Sequence, residues 1–203
     1  MNYFVTAIGT DSGKTLVSTI LCHALGADYW KPIQSGSPTD SDVVKKWLGK
    51  SGVSIHPEAY LLATPASPHA AAQNEGITIN TTDISLPETR VDLVIEGAGG
   101  LLVPLNSKDL MIDLIKQFEA HAILVCDLYL GSINHSLLSI EALRQRNIPL
   151  RGIVFNGTPN PQSEEIILNY AQVPCLLRIL KEQKIDEDTI QHYSQQLILN
   201  WDN

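Results

Sequence analysis

The sequence contains few cysteines, and they lie far apart. Its 203 residues include only 3 of them, Cys22, Cys126 and Cys175, and it has neither a CxxC pair nor an HExxH motif. An odd number of scattered thiols argues against a disulfide-stabilised secreted protein and fits a reducing compartment. The sequence therefore predicts a cytoplasmic protein, and it offers no motif for a transition-metal site.

Long hydrophobic runs and an excess of positive charge are also missing. No stretch of about 18 apolar residues occurs, and the start of the chain lacks the basic and apolar regions of a signal peptide. Lys and Arg number 14 against 22 Asp and Glu, which gives a formal net charge of −8. Nucleic-acid-binding surfaces are rich in clustered basic residues, so we expect neither a nucleic acid nor a membrane as a partner.

Short apolar runs rich in β-branched residues alternate with helical patterns. Strands are predicted at 3–6, 28–33, 92–96, 122–126, 151–155 and, more weakly, 175–179, and helices at 14–24, 41–48, 109–119, 134–146, 162–171 and 186–199. Most of these strands lack in-out alternation, so we expect a mostly parallel sheet with helices on both faces. The whole chain, 1–203, is predicted to be one such three-layer α/β domain. The irregular stretch 36–87 should lie over the carboxyl edge of the sheet, where these folds bind ligands.

A deviant phosphate-binding loop follows the first predicted strand. It ends in Gly13-Lys14-Thr15 and opens a predicted helix, while Ile8 replaces the first glycine of the standard pattern. In such a loop the backbone and the helix N-terminus hold phosphate oxygens, the lysine binds the β and γ phosphates, and the hydroxyl binds Mg²⁺. This segment predicts a P-loop NTPase-like fold that binds ATP or GTP.

Other polar residues follow predicted strands at the same edge of the sheet. Lys31 and Ser35 come after the second strand, and Pro32 restricts Lys31 to an extended conformation. Taken alone, a lysine at the end of a strand is more often a solvated surface charge. The alternative interpretation is that Lys31 belongs to the site, because it follows a strand at the same edge of the sheet as the phosphate-binding loop.

Two carboxylates are candidates for binding the metal ion. Glu96 ends an apolar strand and precedes a glycine-rich segment, 97–100, which permits close approach of a ligand. The simpler interpretation of that segment is a turn after a buried strand. Asp42 is the second candidate, although a helix cap is the simpler interpretation of Asp40-Ser41-Asp42.

Taken in order, these segments resemble the dethiobiotin synthetase family. The matching pattern is Gly13-Lys14-Thr15, Lys31-Pro32-x-x-Ser35-Gly36, Ser41-Asp42, Ser67-Pro68-His69, Glu96-Gly97-Ala98-Gly99-Gly100, Gly131-x-Ile133-Asn134-His135 and Asn156. The resemblance implies an ATP-dependent cyclo-ligase of biotin biosynthesis. It implies that 7,8-diaminononanoate and CO₂ are converted into dethiobiotin, ADP and phosphate, with Mg²⁺ as cofactor, by a homodimer that binds the diamine near the subunit interface.

The same resemblance implies roles for individual residues. The catalytic residues are Lys31, Lys14 and Thr10. ATP and its metal ion are bound by Asp11, Ser12, Gly13, Lys14, Thr15, Leu16, Asp42, Glu96, Gly97, Ala98, Gly99 and Asn156, of which Thr15, Asp42 and Glu96 are the metal ligands. The substrate is bound by Ser35, Gly131 and Asn134. Gly157 and Leu177-Arg178-Ile179 depart from the family pattern at the expected adenine pocket, so the preference for ATP over other nucleotides stays open.

Other functions also stay open at this point. A P-loop amidoligase of the cobyrinate type would use glutamine or ammonia instead of CO₂. A nucleotide-switch ATPase would hydrolyse ATP slowly and bind partner proteins, but the additional lysine of the partition and septum-site ATPases is replaced here by Gly9. A non-catalytic module with a degenerate loop is disfavoured by the intact Lys14, Thr15, Lys31 and Glu96.

Overall fold

The computed structural model describes residues 1–201, so the last two residues of the predicted domain lie outside the described residues. Within that range the strands are β1 (Asn2–Ala7), β2 (Asp28–Trp30), β3 (Ile33–Ser35), β4 (Ile55–His56), β5 (Tyr60–Leu62), β6 (Leu93–Gly100), β7 (His121–Asp127), β8 (Leu150–Asn156) and β9 (Cys175–Ile179). The helices are α1 (Lys14–Leu25), α2 (Asp40–Leu48), α3 (Pro68–Asn74), α4 (Met111–Gln117), α5 (Ser132–Gln145), α6 (Pro161–Ala171) and α7 (Glu187–Trp201). None of these helices is both long enough and apolar enough to cross a membrane.

Seven strands form one parallel sheet in the order β4-β2-β6-β1-β7-β8-β9. The other two, β3 and β5, form a separate parallel ribbon. Because all strands of the large sheet run the same way, the carboxyl ends of β1, β2, β6 and β8 meet at one edge. That edge carries the loop and the polar residues that the sequence singles out.

Helices cover both faces of the sheet, as predicted. Tyr3 and Val5 of β1 pack against α1, α2 and α7 on one face, whereas Phe4 belongs to the core that includes α4 and α5 on the other. On the same face as α5, Ile167 of α6 packs against β7 and β8. The prediction of a three-layer α/β fold with a mostly parallel sheet is thereby confirmed.

The predicted strand 28–33 is in fact two strands in different sheets. The chain leaves the large sheet after Trp30 and enters the ribbon at Ile33. Pro32 lies at the break, and its carbonyl oxygen accepts hydrogen bonds from the amides of Ala59 and Tyr60 instead of pairing in the large sheet. The break directs Lys31 off the end of β2 and towards the carboxyl edge.

The predicted strand 92–96 is longer than expected, because β6 continues through the glycines to Gly100. After a register shift, Gly100 pairs with Ala7 of β1. A Cβ on Gly97 would lie 2.7 Å from Cε1 of Phe4, so the strand can pass this point only as glycine. The alternative of a plain turn after Glu96 is therefore wrong.

The stretch 36–87, predicted to be irregular apart from one helix, also contains β4, β5 and α3. As expected, part of it covers the carboxyl edge of the sheet, where Pro65, Ala66, Ser67 and Pro68 line a cavity. The other predicted strands and helices match the observed ones to within a few residues, and α4 is shorter than predicted at both ends.

Candidate active site

The phosphate-binding loop connects β1 to α1 and is supported from β8. Gly13 has φ 95°, and a Cβ there would lie 2.3 Å from Nδ2 of Asn156, so both conformation and space require glycine. That Nδ2 donates a hydrogen bond to the carbonyl oxygen of Ser12 at 2.9 Å. Lys14 Nζ donates to the carbonyl oxygen of Gly9 at 3.0 Å. The loop is thus held in shape from both sides, with its lysine folded back over it.

Glu96 lies at the centre of the site and is almost completely buried, with 1% of its surface exposed. One carboxylate oxygen, Oε1, accepts a hydrogen bond from Thr15 Oγ1 at 2.9 Å and lies 3.3 Å from Lys31 Nζ. The other, Oε2, accepts a hydrogen bond from the hydroxyl of Tyr29 at 2.9 Å. A buried carboxylate is costly unless it has such partners. The structure therefore brings three predicted site residues together and adds a tyrosine that the sequence did not single out.

Lys31 is buried between two carboxylates, with 4% of its surface exposed. Its Nζ forms ion pairs with Asp40 and with Glu96. Burial acts to lower the pKa of Lys31, but the charges of Glu96 and Asp40 outweigh it and raise the pKa above its usual value. Lys31 is therefore a fixed ammonium group, and the interpretation of a solvated surface charge is wrong.

Two other groups at the site have shifted pKa values. Burial lowers the pKa of Lys14, even though Glu96 acts in the opposite direction. An anion bound in the loop would favour the charged form of this lysine. Burial, together with the charge of Glu96, raises the pKa of Tyr29 well above its usual value, so the phenol keeps its proton and donates it to the carboxylate in a hydrogen bond.

A cavity of about 770 Å³ opens above these residues. Small-molecule sites typically measure about 300–1,000 Å³. Its lining includes eleven of the predicted site residues, namely Thr10, Asp11, Gly13, Lys14, Thr15, Leu16, Lys31, Ser35, Glu96, Ala98 and Gly99. Ser12 and Asn156 support the loop from behind, and Gly97 packs against Phe4.

The remaining three predicted site residues neither line the cavity nor support the loop beside it. Asp42 is exposed, and its carboxylate accepts a hydrogen bond from Thr39 Oγ1 at 2.8 Å, while Asp40 takes the place beside Lys31. Gly131 and Asn134 lie at the start of α5, outside the lining. The structure therefore does not bring Asp42, Gly131 and Asn134 to this cavity.

The site also contains Gln34 and Asp40, which no sequence pattern had marked as site residues. Gln34 lines the cavity, donates to the carbonyl oxygen of Gly36 and accepts a hydrogen bond from the amide of Asp40 at 3.1 Å. It therefore fixes the first turn of α2 against β3. In the sequence, Asp40 is distinguished only by lying two residues before Asp42. A helix cap was the simpler interpretation of both residues.

Thr15 and Glu96 provide oxygen ligands suited to Mg²⁺. Among residues 1–201, no three His, Cys, Asp or Glu side chains form a group that could hold a metal ion by themselves. Proteins commonly bind Mg²⁺ through one or two carboxylates together with substrate phosphates. A hydroxyl in contact with a carboxylate, next to the lysine of the loop between β1 and α1, fits that mode of binding.

The sheet and the loop define the class of P-loop nucleotide-binding proteins. A family model described as an AAA domain matches residues 1–189. Among solved structures, a ParA family ATPase from Chlorobium tepidum TLS superposes with a TM-score of 0.58 at 12% identity, covering 98% of this chain and 96% of that one. The septum site-determining protein MinD from Pyrococcus horikoshii OT3 gives 0.58 at 16% identity, covering 99% and 93%. At such low identities the likeness concerns the fold alone.

Named relatives narrow the class to one family. The ATP-dependent dethiobiotin synthetase of Cytophaga hutchinsonii is 54% identical over 201 residues, 98% of both chains. That of Christiangramia forsetii is 49% identical over 196 residues, 96% of this chain and 94% of the relative. That of Brucella ovis is 45% identical, covering 95% and 92%. The chain belongs to the ATP-dependent dethiobiotin synthetase family, and the resemblance noted in the sequence is confirmed.

Proposed function

We propose that this protein converts 7,8-diaminononanoate, CO₂ and ATP into dethiobiotin, ADP and phosphate. The observation that carries the proposal is the meeting of Lys14, Thr15, Lys31 and Glu96 at the floor of one cavity. These residues belong to motifs that the sequence shares with the family. We further propose that residues 1–203 form a single cytoplasmic domain that acts on small molecules.

The chemistry requires cations between two anionic reactants. One amine of the substrate and CO₂ form a carbamate, whose oxygen attacks the γ-phosphorus of ATP and releases ADP. The second amine then attacks the carbamoyl carbon of the resulting mixed anhydride, phosphate leaves, and the amine loses its proton as the ring closes. Lys14 and Lys31 offset the repulsion between carbamate and phosphate, and the loop backbone holds the phosphate for in-line attack.

Mg²⁺ would be bound through the Thr15 hydroxyl and the Glu96 carboxylate. When bound, it neutralises charge on the phosphate oxygens. Asp42 is the second proposed carboxylate ligand, as the family pattern implies. Lys31 Nζ forms ion pairs with Asp40 and Glu96, whereas the exposed carboxylate of Asp42 accepts a hydrogen bond from the neutral hydroxyl of Thr39.

The substrate site extends from Ser35 towards a second subunit. Ser35 Oγ is buried and has no hydrogen-bond partner among residues 1–201, so it is available to a substrate nitrogen. Gly131 caps the start of α5 and Asn134 lies in its first turn, and the start of a helix suits a carboxylate. Because neither residue lines the cavity of its own chain, we propose that they serve the partner's substrate in a homodimer.

The amidoligase and switch-ATPase alternatives are not favoured, because the named relatives are dethiobiotin synthetases and they match this chain over almost its whole length. Gly9 stands where the switch ATPases have their additional lysine. It has no side chain to contribute, and its carbonyl oxygen accepts a hydrogen bond from Lys14.

The test is direct formation of the product. The purified protein is incubated with Mg-ATP, ¹³C-bicarbonate and diaminononanoate, and we expect labelled dethiobiotin by mass spectrometry, with ADP released in step. Lys31→Gln should still bind ATP but lose turnover on the order of 10²-fold or more, since it removes a cation from the reacting groups. Lys45→Gln, at an exposed position on α2, is the control. A rate of ATP hydrolysis that does not depend on the diamine would support the switch function instead.

A further inference from the structure

Tyr29 and Glu96 project from the same face of two neighbouring strands. Tyr29 of β2 is in register with Val94 of β6, and both belong to the core beneath α1. Glu96 follows Val94 by two residues, so its side chain leaves the same face. A tyrosine is long enough to span this diagonal, and its hydroxyl reaches Glu96 Oε2 at 2.9 Å. The contact is therefore built into the register of the sheet.

The hydroxyl of Tyr29 divides the two oxygens of Glu96 between two tasks. Oε2 is directed into the protein interior, where Tyr29 is fully buried. Oε1 is left for Thr15 and Lys31 on the cavity side. Without the phenol, Oε2 would be a buried carboxylate oxygen without that donor, and the carboxylate would gain by rotating away from the loop.

We propose that Tyr29 is a positioning residue that holds Glu96 Oε1 towards Thr15 and the metal ion. The proposal rests on the proposed role of Glu96 as a metal ligand. Partners that hydrogen-bond to a metal ligand orient it, and their loss typically costs about 10- to 100-fold in metal affinity or activity. Tyr29 does not line the cavity, so it acts on the metal only through Glu96.

Tyr29→Phe tests this proposal, because it removes only the hydroxyl. Binding of a non-hydrolysable ATP analogue is measured by calorimetry with Mg²⁺ and with EDTA, and the ratio of the two affinities is the readout. We expect that ratio to fall about 10-fold or more in Tyr29→Phe, with the EDTA value unchanged. Tyr193→Phe is the matched control, since Tyr193 is also buried and donates to a carboxylate, Glu182 Oε1, away from the cavity.

A double-mutant cycle separates positioning from general damage. Tyr29→Phe should have no further effect on the ratio in a Glu96→Gln background, because the tyrosine acts through that carboxylate. In turnover, the Mg²⁺ concentration for half-maximal rate should rise, while kcat recovers at saturating Mg²⁺. An unchanged ratio, a further loss in the Glu96→Gln background, or equal loss of binding with and without Mg²⁺ would overturn the proposal. A reduced ratio in a protein that makes no dethiobiotin would refute the proposed function and leave the role of Tyr29 standing.

Discussion

At the scale of single residues, the site is a row of charges of alternating sign. Lys31 contacts both Glu96 and Asp40, and Lys14 is the next cation, on the phosphate-binding loop. Each buried charge is stabilised by a neighbour, because an unpaired one would cost several kcal/mol. The two acidic residues at the start of α2 have different surroundings, since Asp40 is paired with Lys31 and Asp42 accepts a hydrogen bond from the hydroxyl of Thr39.

Asp42→Asn and Asp40→Asn should therefore affect different steps. Asp42→Asn should raise the Mg²⁺ concentration for half-maximal rate by at least the ~10-fold that loss of a partner of a metal ligand typically costs. Asp40→Asn removes one of the charges that raise the pKa of Lys31. Lys31 would then lose its proton at a lower pH, and the alkaline limb of the rate profile should move towards neutral pH. Rates measured against Mg²⁺ concentration and against pH distinguish the two effects.

The opposite pattern would assign the metal ion to Asp40. In that case Asp40→Asn would raise the Mg²⁺ requirement and Asp42→Asn would behave like the parent protein. Ser41→Ala, between the two, serves as a control for damage to the start of α2, where Ser41 Oγ donates to Glu58.

At the scale of elements, the sequence predicted the parts whose pattern is local. Buried strands flanked by helices indicated the sheet, and the loop before α1 was recognised from its residue types. β4 and β5 were missed because two and three residues are too few for a pattern. The break between β2 and β3 and the continuation of β6 through Gly100 depend on neighbouring strands, which no local pattern reports. Tyr29 was missed for the same reason, since in sequence it is one more aromatic residue of an apolar strand.

The requirement for glycine at position 13 of the phosphate-binding loop can be tested by substitution. Gly13→Ala should destabilise the protein by more than the roughly 1–2 kcal/mol that a left-handed conformation costs a residue with a Cβ. The added methyl group would also meet Asn156 Nδ2 at 2.3 Å. We expect nucleotide binding to be lost as the loop shifts, and urea unfolding to give the change in free energy.

Gly26→Ala separates conformation from space in that experiment. Gly26 caps α1 with φ 61°, and an added Cβ would find nothing within 4 Å. It should therefore show the conformational cost alone, with nucleotide binding intact. Adding Asn156→Ala to Gly13→Ala should recover part of the lost stability by removing the clash. Equal costs at the two glycines would contradict the steric argument.

At the scale of the whole molecule, net charge describes the surface and not the site. The chain carries −8, yet the cavity is built around two buried lysines. Exposed apolar side chains also gather around the start of α5, where Tyr129, Leu130 and Leu138 are exposed and Leu130 is fully so. Gly131 and Asn134 lie in the same region, outside the cavity of their own chain. A second subunit docked there would bury the apolar side chains and complete the proposed substrate site.

Leu130→Asp should therefore convert the dimer into monomers and, by the same change, reduce turnover. A buried carboxylate at a subunit interface is costly, whereas on an exposed surface it costs the monomer little. Sedimentation measures the oligomeric state, and binding of Mg-ATP should persist, because the loop, Lys31 and Glu96 all come from one chain. Ile198→Asp, at an exposed position on α7 across the sheet from α5, is the control. A Leu130→Asp variant that stays dimeric and active, or a parent protein that is monomeric at assay concentration and still forms dethiobiotin, would show that α5 does not serve a neighbouring subunit.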